Sequence, residues 1–236
     1  MEGDTLSSGN LGAITVGQAP RPDLAPLFEA ATPEGAELIE IGVLDGFSRA
    51  EIERDFAPAP GEPALISRLV DGTSVVIAKR HAVARVPALV AQHVQAGCRT
   101  VLLLCTGHFP GLENCRARVI QPQDLLIPTI KAMAGGRRIG LMVAVEAQLA
   151  SVPKKWASLT DGTTAPPPLA RVISPYDATD AELAFAAREL AGEGAALLVA
   201  DCIGFNTHHR NVARRATGLP VVVSTDLLVK LISELV

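Results

Sequence analysis

The sequence predicts an α/β fold made of two similar halves, each a parallel sheet flanked by helices. Three observations predict it. Short apolar runs alternate with helix-period segments along the whole chain, the pattern of strand–helix–strand units. Two of the runs, TVLLLCTGH at 100–108 and ALLVADCIGF at 196–205, share one grammar: an apolar strand ending in a cysteine, with glycine two residues later. Finally, 236 residues, 48% hydrophobic and 19% charged, can bury a large core and are too apolar for a disordered chain. No short-period repeat is evident, which argues against a solenoid.

Taken in order, LGAITVG at 11–17 reads as the first strand and 22–31 as a short helix. AELIEIGV at 36–43 is a second strand, and 49–56 a helix opened by Ser48. The Pro-rich stretch 57–63 is a loop. A strand over 73–78 precedes a helix over 83–97, whose apolar positions Val83, Val86, Leu89, Val90 and Val94 fall near helical spacing and which Gly97 stops. The strand at 100–104 runs into Cys105. A helix over 124–134, a strand over 138–143 and a helix over 146–156 broken by Pro153 follow. The Thr/Pro-rich segment 160–169 is a loop, 171–174 a short strand and 180–192 a helix. The strand at 195–201 runs into Cys202. A helix over 212–217, a strand over 220–224 and a helix over 225–236 close the chain.

Composition argues against several classes. A net charge of −4 does not suit a nucleic-acid groove, and 3% aromatic residues do not suit a base-stacking platform. No apolar run reaches the roughly 18–20 residues of a membrane span. The first ten residues, MEGDTLSSGN, have neither the basic start nor the apolar stretch of a signal peptide. Four cysteines without a C-x-x-C pair are not a disulfide scaffold. A cytoplasmic protein with free thiols is expected, with no nucleic-acid or membrane partner. The Cys105/His108 and Cys202/His208/His209 spacings match no common zinc pattern. Neither phosphate-binding glycine motif is present.

The paired strand-end cysteines carry the chemistry. In open α/β sheets ligands bind at the carboxyl ends of strands. The small residues after each thiol, Thr106-Gly107 and Ile203-Gly204, free backbone N–H groups to hold a carboxylate and a developing oxyanion. Two such ends facing each other place a small carboxylate between two thiols. One thiolate removes a proton from carbon and the opposite thiol returns one to the other face, a racemisation that needs no cofactor or metal. A buried cysteine can also simply fill space. Cys98 and Cys115 lack the strand-end context and read as incidental.

Further candidates surround this pair. Arg21, after the Gly-Gln-Ala-Pro turn, could clamp a carboxylate or be a solvated loop residue. Arg80, beside Lys79, could bind an anion or be a surface charge at a helix start. Thr106 offers a hydroxyl and an N–H. Glu146 could enter the cleft or sit in a helix first turn. His209 could lower the ionisation of Cys202 or belong to a basic helix face. Asp201, beside Cys202 on the strand, should point to the opposite face and be structural.

The segments TVGQAPRPDL (15–24), GVLDGFSRAEIERDFAPAPGE (42–62), IAKR (77–80), VLLLCTGHF (101–109), IGLMVAVE (139–146), KKW (154–156), DCIGFNTHHR (201–210) and GLPVVVSTDLLVKLISEL (218–235) occur in this order. On them the chain resembles the AroM family, which is related to the aspartate/glutamate/hydantoin racemase superfamily. The resemblance implies two pseudo-symmetric Rossmann-like domains of racemase type with the active site in the cleft between them. The first would span 11–115 and 218–236, completed by the C-terminal helix, and the second 116–217. It implies Cys105 and Cys202 as the acid/base pair, acting alpha to the carboxylate of a small acid or amino-acid derivative. The superfamily also contains arylmalonate decarboxylases and maleate isomerases, so a lyase or a cis–trans isomerase is the rival enzyme class. A non-catalytic carboxylate-binding protein is the rival outside enzymes. The chain departs from the amino-acid racemases in carrying Cys105-Thr106-Gly107 where they usually have Cys-Asn-Thr or Cys-Asn-Ser. It carries Gly17-Gln18-Ala19-Pro20-Arg21 where they often have an Asp-Ser pair. Dimers are common for such folds, so a homodimer is compatible with the sequence, although no surface pattern shows one.

Overall fold

The computed structural model describes residues 10–32, 34–162 and 164–234. In chain order the first half contains β1 (Leu11–Thr15), α1 (Ala25–Glu29), β2 (Leu38–Gly42), α2 (Arg49–Asp55), β3 (Ala64–Arg68), β4 (Ser74–Ala78), α3 (Lys79–Gln95), β5 (Thr100–Leu104) and β6 (Arg118–Ile120). The second contains α4 (Pro122–Ala134), β7 (Ile139–Val143), α5 (Val152–Lys155), β8 (Leu169–Val172), α6 (Asp180–Gly192), β9 (Leu197–Ala200), α7 (Thr207–Thr217), β10 (Val221–Val223) and α8 (Ser224–Ile232).

The two halves have the same topology. The first sheet runs β2-β1-β5-β6 and the second β10-β9-β7-β8, and every pairing within them is parallel. Read from the opposite edge, the second sheet repeats the order of the first: second, first, third, fourth strand of its half. β5 and β9 are therefore equivalent third strands, and Cys105 and Cys202 follow their carboxyl ends. The antiparallel hairpin β3–β4 is an addition to the first half.

Parallel strands buried on both faces read as continuous apolar runs, and these do. One face of the first sheet packs Ile14, Val101 and Leu103 with Val86 and Val90 of α3. The other gathers Ala13, Leu102 and Leu104 with Phe28, Leu228 and Ile232, so α8 returns from the second half to cover the first sheet. In the second sheet Met142, Leu198 and Ala200 face Leu183 and Leu190 of α6, while Leu141 and Val199 face Ile130 and Trp156.

Local chemistry explains several boundaries. Ser48 and Glu51 form a capping box that starts α2 where the sequence places it, and Thr179 with Glu182 does the same for α6. α7 begins at Thr207, well before the expected 212, because Asn206 and His209 form a third capping box. Pro153 does not break a helix; it lies in the first turn of α5, after a 3-10 turn over Glu146–Ser151. Two strands lie outside the sequence reading. β3 follows the Pro-rich loop directly, and β6 is only three residues long. β6 keeps the chain in the first sheet through Ile120, and β10 keeps it in the second through Val223. The crossings between sheets thus fall one short strand beyond residues 115 and 218. Among the described residues, no helix is long and apolar enough to cross a membrane.

Candidate active site

Between the carboxyl ends of the two sheets lies a cavity of about 480 Å3, into which Cys105 and Cys202 both open. Thr106 Oγ1 donates to the Asp201 carbonyl oxygen at 3.3 Å, which ties the two strand ends together across the cleft. The walls mix apolar side chains from both halves (Val16, Leu65, Ile66, Leu104, Val143 and Val152) with the polar groups of Ser67, Lys79, Thr106, Lys155 and Tyr176. The hairpin strand β3 closes one side through residues Ala64 to Ser67.

The thiols are buried, each 9% exposed. Burial pushes the Cys105 thiol up from its ordinary value; the Gly107 N–H, Lys155 and Lys79 draw it down, and Asp201 adds to the rise. The Gly107 N–H donates to Cys105 Sγ at 3.4 Å. Burial pushes Cys202 up to about 12, with the Gly204 N–H and Arg21 opposing and Cys105 and Asp201 adding to the rise. The folded state therefore holds the Cys202 proton more tightly than the unfolded chain, whose thiol ionises near 9.0. The stability this gives is complete at neutral pH and is lost as pH rises from about 9 toward 12. Alkylation of Cys202 by iodoacetamide, followed by peptide mass spectrometry, is expected to keep accelerating above about pH 9, where an exposed thiol has levelled off. A plateau below that pH would contradict the burial account.

Arg21, only 2% exposed, is held from every direction. Nε and Nη2 donate to the two Asp23 carboxylate oxygens at 2.8 Å, Nη1 to Thr15 Oγ1 at 3.3 Å and Ser67 Oγ at 3.4 Å, and Nη2 to the Tyr176 hydroxyl at 3.4 Å. Burial opposes its charge, but Asp23 and Tyr176 more than restore it. Asp201 is fixed within the second half: Lys155 Nζ donates to its two oxygens at 2.7 and 2.8 Å, and Trp156 Nε1 to one of them at 3.2 Å.

A family model, AroM protein, matches residues 11–236. The chain belongs to the AroM family. Its structure is similar to that of arylmalonate decarboxylase, at a TM-score of 0.53 and 15% identity over 95% of this chain and 92% of that one. It is also similar to the aspartate racemase of Picrophilus torridus, at 0.51 and 11% over 96% and 94%. At these identities the likeness is one of fold: this AroM-family protein shares the paired parallel-sheet architecture of those two structures. No curated protein matched the chain.

Against that fold, the residues singled out in the AroM-family sequence separate into two groups. Cys105, Thr106, Gly107, Arg21, Cys202 and Ile203 line the cavity. Arg21 does so with all five N–H donors engaged, so it acts as a strut between β1, β3 and Tyr176 rather than as a free carboxylate clamp. The Gly107 N–H faces the sulfur of Cys105 and the Gly204 N–H that of Cys202, so both are turned to the thiols. Gly204 itself packs on Tyr176: a Cβ there would come within 2.6 Å of its ring and hydroxyl. Gly204→Ala is accordingly expected to displace Tyr176 and cost about 1–3 kcal/mol in urea unfolding; unchanged stability would show that Tyr176 moves freely.

The second group lies away from the cavity lining. Arg80 is exposed and pairs with Glu62, because the first turn of α3 points its neighbour Lys79 inward instead. Glu146 is exposed in the 3-10 turn that follows β7. His209 accepts the Asn206 N–H through Nδ1 at 3.0 Å and packs edge-on against Phe205, so it caps α7. Among the described residues no three His, Cys, Asp or Glu side chains group to hold a metal ion. Sequence reasoning missed Lys79, Lys155 and Tyr176 as cavity residues. KKW and IAKR were visible segments, but nothing local showed that their lysines turn inward.

Proposed function

We propose that this protein transfers a proton at a carbon next to a carboxylate, without a cofactor, and so racemises or epimerises a small acid or amino-acid derivative. One observation carries the reading: the thiols that follow equivalent strands of the two halves open into the same cavity. A racemase needs one base and one acid on opposite sides of a stereocentre, and a pseudo-twofold pair of strand ends supplies that arrangement. The hydroxyls of Ser67 and Tyr176 line the cavity, accept from Arg21 and keep their own protons to donate to a carboxylate. Desolvation in the cavity strengthens each of these contacts as charge builds on an enediolate.

The reading is tested by incubating the protein in heavy water with a panel of small chiral acids and amino-acid derivatives and following the α-proton by NMR. Exchange accompanied by inversion is the expected result. The apolar part of the wall, Leu65, Ile66, Val143 and Val152, favours a second reading, a decarboxylating lyase that needs a single protonating thiol and an apolar seat for the leaving carboxyl group. Release of carbon dioxide from a malonate-type acid, without α-proton exchange of chiral acids, would select it.

A further inference from the structure

Of the cationic side chains that line the cavity, two are already neutralised in place: Arg21 by Asp23, and Lys155 by both oxygens of Asp201. Lys154 is exposed to solvent at the rim. Lys79 is different. It is half-buried, lines the same cavity as Cys105, and forms no ion pair among the described residues. Its backbone is anchored where β4 passes into α3, the N–H donating to the Pro63 carbonyl oxygen at 2.8 Å. Its ammonium lies 5.9 Å from the ring centre of Phe109, over the loop that carries Cys105-Thr106-Gly107.

A half-buried ammonium without a carboxylate partner needs a source of negative charge, and a thiol that ionises in a buried cavity needs a cation. We propose that Lys79 is the counter-ion of the Cys105 thiolate, so that Cys105 is the first of the two thiols to ionise and serves as the resting base, with Cys202 the proton donor. The pairing of Lys79 with Cys105 stands on their shared cavity and on the place of the ammonium over Phe109; the assignment of base and donor rests on the racemase reading above. The surroundings of the two sulfurs agree. Sharing the cavity with Cys105 are Lys155 from α5, Lys79 from α3, Asp201 after β9 and the Cys202 thiol, and Lys155 is already held by Asp201. The cation of the cavity wall that bears on Cys202 is Arg21, whose donors are already engaged by Asp23, Thr15, Ser67 and Tyr176. Burial lowers the Lys79 ammonium below its ordinary range, Cys105 holds it up, and Lys155 and Lys154 push it further down. Lys79 is thus a positioning residue, acting through Cys105.

The test reads the thiols without substrate. Rates of iodoacetamide labelling at Cys105 and Cys202 are measured separately by peptide mass spectrometry across pH in the full-length protein and in Lys79→Met, Lys79→Gln and Lys79→Arg. In the Met and Gln variants, Cys105 labelling at pH near 8 is expected to fall about tenfold and its profile to move about one pH unit higher. The Arg variant is expected to restore it, and Cys202 should change far less. Two variants that both remove the charge guard against a folding defect in one, which would instead speed labelling of both thiols. An unchanged Cys105 profile in the Met and Gln variants would overturn the proposal, including the case where Lys79 serves only to bind substrate and a higher KM is its sole effect. Failure of the racemase reading would look different: no α-proton exchange on any acid, with the labelling contrast intact.

Discussion

Replacing either cysteine by serine is expected to stop racemisation while leaving each variant able to wash out the α-proton of one enantiomer only. Inversion needs a proton taken from one face and another delivered to the opposite face. With Cys202→Ser, Cys105 can still remove and return a proton on its own face, but nothing replaces the donor across the stereocentre. With Cys105→Ser the surviving face is the other one, and exchange there is slower because Cys202 holds its proton more tightly and must first ionise. A serine hydroxyl ionises far too reluctantly to act as base, and loss of one acid/base group typically costs about 10²- to 10⁴-fold. Both sulfurs line a cavity with polar neighbours, so the exchange to serine should leave folding nearly intact. The measurement is NMR in heavy water with each pure enantiomer, read alongside chiral analysis of the recovered acid. Full turnover by both variants would refute the two-thiol mechanism. Loss in one variant alone, with unchanged conversion in the other, would point to a single-thiol lyase.

The largest effect on stability is expected from Arg21→Met. The guanidinium is nearly fully buried, and it neutralises Asp23 while donating to Thr15, Ser67 and Tyr176. Removing it leaves the Asp23 carboxylate with only Arg68, at 3.9 Å, and three hydroxyls without their donor. Breaking a buried ion pair by deleting one member costs about 3–5 kcal/mol. Because the Asp23 side chain keeps 26% of its surface exposed, the lower end of that range is expected. The pH dependence provides a second check. Burial opposes the charge on Asp23, but the Arg21 pair more than offsets it and holds the carboxyl below its usual 3.8. A carboxylate depressed in the folded state contributes stability above its unfolded value and loses it as pH falls. The native protein should therefore lose this contribution on acidification below about pH 4, and Arg21→Met should show a flatter acid limb in urea unfolding. A variant as stable as the native protein at neutral pH would show that solvent replaces the guanidinium.

Much of this architecture is legible residue by residue. The runs at 11–17, 100–104, 138–143 and 195–201 are apolar in all but one position each because their strands are buried on both faces, and all four are central strands of the two sheets. Ser48 and Glu51 announce the start of α2 by a local hydrogen-bond pattern. The edge strand β6 and hairpin strand β3 escape the same reading. A three-residue strand has no period, and β3 earns its structure by pairing with β4 rather than through its own pattern. His209 illustrates the opposite error. Its proximity in sequence to Cys202 suggests a thiol partner, yet a local capping bond to Asn206 claims its ring.

The sequence by itself determined the alternation of strands and helices, the repeated strand–cysteine–glycine grammar and hence the two thiols at strand ends, because each depends on residues a few positions apart. Only the tertiary structure decided that both thiols share one cavity, that Arg21 is consumed as a strut, that Lys79 rather than Arg80 turns inward, and that Tyr176 packs on Gly204. Burial and the saturation of hydrogen-bond donors are properties of surroundings assembled from distant segments. A guanidinium that looks free in the chain can have every donor taken once Asp23, Ser67 and Tyr176 close around it.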